Sequence, residues 1–87
     1  MNLNEYYLIR KNIIKKLYAH NSFRNSHLVF ERLKSGIPKH LSGFVGEILS
    51  DLIKDQLVLF YGKTKHGNAY QLNIDKLDEI KKIIFEN

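Results

Sequence analysis

Between Leu41 and Leu72 the apolar residues change their period, and that change limits what the chain can become. Leu41, Val45, Ile48, Leu49, Leu52 and Ile53 recur at steps of three and four, which places them on one stripe of a helix. From Leu57 the chain reads Leu-Val-Leu-Phe-Tyr, a β-branched and aromatic run suited to a strand. Gly62 to Asn68 is a polar loop with two glycines, and Ala69-Tyr70-Gln71-Leu72 alternates as a returning strand. A helix therefore feeds a hairpin, and the hairpin carries Lys63, Lys65 and His66 at its tip. Ser42 stands where a helix N-cap is wanted.

The rest of the chain builds helices around this unit. Asn4 to His20 reads as a first helix, capped by Asn4, with Leu8, Ile9, Ile13, Ile14, Leu17 and Tyr18 on its apolar face. Arg10, Lys11, Lys15 and Lys16 fall mostly on the other side, as a solvated face or a phosphate-facing one. Asn21 to Ser26 breaks that helix, with Phe23 expected to anchor a short extended piece. A short second helix, His27 to Lys34, is predicted from the stripe Leu28, Val29, Leu33, with Asn25 or Ser26 as its cap. Gly36 suits the left-handed position that closes it, and Pro38 stiffens the connection to the third helix at Lys39 or Ser42. After the hairpin, Asn73 or Asp75 caps a last helix whose stripe is Leu77, Ile80, Ile83 and Ile84.

The 87 residues make one domain over 1–87, burying roughly 60–65% of the unfolded surface. No apolar run approaches the ~20 residues of a membrane span, so no membrane is expected. The polar N-terminus, with Glu5 ahead of the first base, reads as lacking a signal peptide. There are no cysteines, which excludes disulfides and thiolate metal sites and fits a cytoplasmic protein. Residues 1–40 carry eight Lys or Arg against two acids, while residues 41–87 carry six against seven. The positive field thus belongs to the N-terminal half and the hairpin tip, and it suggests a polyanionic partner.

Catalysis and metal binding find no support in the residues. His20, His27, His40 and His66 include no pair at the i, i+4 spacing of a helical zinc site. Ser35, Ser42 and Ser50 lack a nucleophile-elbow context. Gly62-x4-Gly67 lacks the Lys-Ser/Thr of a phosphate loop. No enzyme activity, metal or cofactor is expected.

The order is helix, extended piece, helix, tight turn, helix, two-stranded hairpin, helix. In this order, with the turn Ser35-Gly36-Ile37-Pro38, the pattern Leu41-x3-Val45-x3-Leu49-x2-Leu52-Ile53-x3-Leu57-Val58 and the hairpin ending His66 to Leu72, the chain resembles the winged helix-turn-helix family. Where that family often has Gly-Leu-Val, this chain has Gln56-Leu57-Val58. The resemblance implies an α+β, mostly helical fold: a three-helix core, a two-stranded β-hairpin wing and a C-terminal helix.

It also implies a small transcription regulator that binds double-stranded DNA. The third helix, about 42–55, would lie in the major groove, and the basic wing, about 58–72, would reach the backbone or a neighbouring groove. Carried onto this sequence, the DNA-binding residues are Arg24, Lys39, His40, Ser42, Gly43, Phe44, Glu47, Lys63, Lys65 and His66. The last helix would pair two subunits as a homodimer, or else pack against the first helix within one chain. The third helix is poor in major-groove readers, with Lys54 against Glu47, Asp51 and Asp55. Gly43 and Gly46 cost it roughly 1 kcal/mol each against Ala, so another backbone approaching closely is one reason for them. The alternative is a winged-helix protein–protein interaction module using the acidic third helix or the apolar C-terminal helix. RNA binding through the wing is a third reading, with Tyr61 and Tyr70 stacking on bases or packing the hairpin.

Overall fold

In the computed structural model, which describes residues 1–86, the first element begins two residues earlier than Asn4 would set it. Helix α1 spans Leu3–Ala19, and its cap is Asn2. The Asn2 side chain accepts from the Glu5 N–H at 2.8 Å and Glu5 accepts from the Asn2 N–H at 3.0 Å, a reciprocal capping box. Ile9, Ile13, Ile14 and Leu17 are its buried residues. Leu8, expected among them, stands in solvent with Tyr7, because the core contacts only a narrow stripe of the helix. The helix closes at Asn21, whose φ is +57°. The Asn21 N–H donates to Tyr18 and the Ser22 N–H to Leu17, both at 2.9 Å, the paired bonds of a Schellman cap.

The segment expected as helix from His27 divides instead. Strand β1 is Leu28–Val29, and helix α2 starts only at Phe30 and runs to Lys34. Neither Asn25 nor Ser26 caps it; Val29 holds the cap position without a side-chain bond. The reason is a pairing far along the chain, Leu28 with Tyr70 and Val29 with Ala69, which takes these backbones before a helix can.

The expected third helix is also two pieces, α3 over Lys39–Ser42 and α4 over Val45–Lys54. Ser42 is not an N-cap. Its hydroxyl donates back to the Lys39 carbonyl at 2.9 Å, and Pro38 occupies the cap position of α3. Val45, Ile48, Leu49 and Leu52 bury the inner face of α4. The helix ends at Gln56, at φ +63°, with Gln56 N–H to Ile53 and Leu57 N–H to Leu52, each 3.0 Å.

Strands β2 (Val58–Thr64) and β3 (Gly67–Leu72) form the hairpin. With β1 they make a three-stranded antiparallel sheet in the order β1-β3-β2, one strand more than the sequence suggests. The polar loop is shorter than expected, since pairing continues to Thr64 and Gly67 and leaves only Lys65-His66 at the turn. Tyr61 is the extra residue of a bulge between Phe60 and Gly62. A single 3₁₀ turn, Ile74–Lys76, capped by the Asn73 side chain, precedes α5 (Leu77–Phe85). Ile80 and Ile84 of α5 join α1, α4, Leu33, Leu57, Val58 and Leu72 in one buried cluster. Among the described residues, no helix is long and apolar enough to cross a membrane.

Candidate nucleic-acid interface

The outer face of α4 begins with its phase. Val45, Ile48, Leu49 and Leu52 point inward, so at 100° per residue Glu47, Ser50 and Lys54 point outward. Those three are exposed, as are Gly43 and Gly46. Phe44 is half-buried and packs against the core.

The acids of α4 divide between two directions. Asp51 accepts from the Tyr6 hydroxyl at 2.7 Å, and Asp55 faces the Arg10 guanidinium at 3.8 Å. Both are thus directed at α1. Glu47 is left as the one acid of α4 outside such a contact, among the described residues. The net negative helix of the sequence is therefore less acidic on its free side than its composition implies. Hydrogen bonding to Asp51, with burial and the Asp51 charge behind it, raises the Tyr6 phenol to about 12.

Neither glycine of this segment answers to crowding within the chain. A Cβ at Gly43 meets nothing within 4 Å, and one at Gly46 meets only the Phe30 ring edge at 4.0 Å. Helix α2 does not require them. Their effect is a smooth strip along the exposed side of α3 and α4.

The hairpin tip stands free. Lys63, Lys65, His66, Gly67 and Asn68 are exposed. The turn is held by Thr64, whose hydroxyl donates to the Gly67 carbonyl at 2.8 Å and accepts from the His66 N–H at 3.1 Å. Gly67 takes φ +113°, where a side chain is strained. Midway along the hairpin, Tyr61 stacks on His27 with ring centroids 4.2 Å apart and 22° between planes. Tyr70 meets Phe60 edge-on at 5.8 Å. Tyr61 and Tyr70 thus brace the sheet by contacts across it, although Phe60 and Tyr61 remain about half exposed.

Lys39 and His40 are exposed on the single turn of α3 rather than ahead of the helix. Arg24 is not beside a helix start. It lies in the α1–β1 loop at φ +56°, its carbonyl accepting from the Gln71 amide. Its side chain lines a depression with Phe23, Leu77 and Lys81, against α5 instead of α4. The basic face of α1 is partly consumed as well. Arg10 meets Asp55, and Lys16 donates to the carbonyls of Leu33, at 3.0 Å, and Ser35. Lys54 is the outward cation that the composition of the helix disguises, and the helical phase alone identifies it.

Among the described residues no cluster of three His, Asp or Glu side chains is arranged to hold a metal. Comparison with protein-family models, with curated proteins and with solved structures finds no match to this chain.

Proposed function

We propose that the protein is a winged-helix domain that binds double-stranded DNA as a transcription regulator, through α3–α4 and the hairpin as wing. The observation that carries the reading is the sorting of charge. Asp51 and Asp55 contact α1, Asp55 while still exposed, and Lys39, His40, Lys54, Lys63, Lys65 and His66 stand exposed on α3, α4 and the ribbon without an acid partner among the described residues. The element order and the β1-β3-β2 sheet agree with the fold that the sequence resembles. Gly43, Gly46 and Ser50 leave the helix face low enough for a backbone to approach, and Ser42, Ser50 and Glu47 bring hydrogen-bonding groups to it. Few side chains here carry the bidentate chemistry of base readout, so phosphate contacts supply most of the affinity. Arg24 belongs to a different face and is left out of the interface.

The test is duplex binding measured at two salt concentrations, with Lys63→Glu/Lys65→Glu beside the parent. Affinity falls steeply with salt in the parent, by a log–log slope of about −0.9 for each phosphate contact. The double variant binds at least about tenfold more weakly with an unchanged melting temperature. Absence of duplex binding at low salt would turn the same surface into a protein-docking one, and Glu47→Lys is the substitution that then disturbs the partner.

A further inference from the structure

Away from that surface, α1 and α2 diverge around an open cleft of about 390 Å³ lined by Lys16, Ala19, His20, Leu28, Arg32 and Ser35. Two strong bases, an imidazole and a hydroxyl line it, and no carboxylate does. Among the described residues the ion pairs are Arg10 with Asp55 and Lys34 with Glu31. Lys16 and Arg32 therefore have no carboxylate within 4.0 Å. Lys16 spends two of its three donors on the carbonyls of Leu33 and Ser35. Those neutral partners give no countercharge, and desolvation draws the Lys16 ammonium below the usual lysine range. Capping the end of α2 accounts for Lys16. It does not account for Arg32 and His20 sharing the same cleft.

An oxyanion answers all of these groups at once. The third N–H of Lys16 supplies a point charge, and the Arg32 fork matches two oxygens of a tetrahedral anion. We propose that this cleft is a phosphate-binding site, held by Lys16 and Arg32 with His20 and Ser35 as hydrogen-bonding partners. The cleft is open to solvent and admits a phosphate ester, whose organic part lies beside Ala19 and Leu28. The ester is either a small phosphorylated molecule or a phosphate of a nucleic-acid backbone. The site stands whether or not α4 and the wing bind duplex.

The experiment is a titration of the protein with inorganic phosphate at constant ionic strength, balanced with sodium chloride, followed by NMR. Saturable shifts confined to Lys16, His20, Arg32 and Ser35 are expected. In Arg32→Ala, a change on an exposed side chain, phosphate binding weakens about tenfold while the remaining spectrum is retained. A second titration with duplex DNA separates the sources. Shifts at the same four residues assign the anion to a backbone phosphate; their absence, with phosphate still binding, assigns it to a small ester. Shifts that sodium chloride reproduces, or that persist undiminished in Arg32→Ala, overturn the site.

Discussion

Tyr6 and Asp51, 45 positions apart, are joined by a 2.7 Å hydrogen bond in which the phenol donates to the carboxylate. The bond fastens the first helix to α4 and turns one of that helix's acids away from its outer face. Arg10 does the same for Asp55 one turn further along. Two contacts from α1 thus hold these two acids on one side of the helix, Asp55 remaining open to solvent.

Removing that donor tests the tie. Tyr6→Phe keeps the ring and is expected to lower stability by about 1 kcal/mol, read as a shift of the urea midpoint. The bond also sets a pH dependence. The folded-state pKa of Tyr6, at about 12, lies above its ordinary value of 10.0. Its contribution is therefore complete below about pH 10 and is lost as pH rises through about 12. The stability gap between parent and Tyr6→Phe narrows over that window. An ultraviolet titration shows one of the five tyrosines ionising late, and the variant loses that step.

Gln56 occupies the left-handed position that ends α4, at φ +63°. A non-glycine residue there costs about 1–2 kcal/mol; glycine relieves that strain but loses part of the gain to its larger unfolded-state entropy. Gln56→Gly is expected to gain about 0.5–1 kcal/mol in chemical denaturation. The bond from the Asn73 amide reaches the Gln56 backbone carbonyl at 2.8 Å and survives the change. Gly36→Ala, at φ +81°, is the opposing control and loses about 1 kcal/mol.

Ser22 is fully buried, and its hydroxyl has no hydrogen-bond partner among the protein groups. Its backbone does the structural work, donating to Leu17 at 2.9 Å and accepting from Leu72 at 2.8 Å. Ser22→Ala keeps both bonds and removes a desolvated hydroxyl. A gain of about 1 kcal/mol is expected, measured by thermal and urea unfolding.

Gly43 and Gly46 separate stability from binding. Neither site crowds an added methyl, and Gly43 has helical backbone angles. Alanine at each raises stability by up to about 1 kcal/mol. The same methyls stand on the exposed strip, so duplex affinity falls in the variants that melt higher. Equal or better binding by Gly43→Ala/Gly46→Ala would remove close backbone approach from the interface.

The helical periods were readable because each rests on neighbours three or four residues apart. Ile13, Ile48, Leu52 and Ile80 are buried where the stripes put them. Gly36 takes the left-handed turn, and the hairpin strand begins at Val58, one residue past Leu57, where the period changes. The caps were less readable. Asn4 is the expected cap of α1, but Asn2 takes that role because it stands three residues ahead of Glu5, the spacing of a capping box. In the candidate interface, the exposure of Lys63, Lys65 and His66 followed from a polar turn between two strands. The placement of Arg24 did not, because its loop is held by Gln71 from β3.

Sequence alone determined the succession of helices, the hairpin, its basic turn and the apolar stripes that form the core, since these follow from side-chain periods and backbone preferences within a few residues. Tertiary structure decided that Leu28-Val29 is a strand and that Asp51 and Asp55 are drawn to the α1 side of α4. Those outcomes depend on Ala69, Tyr70, Tyr6 and Arg10 arriving from distant parts of the chain. A backbone pairing or a charge contact is made only at short range in space, and spacing along the chain does not report that distance.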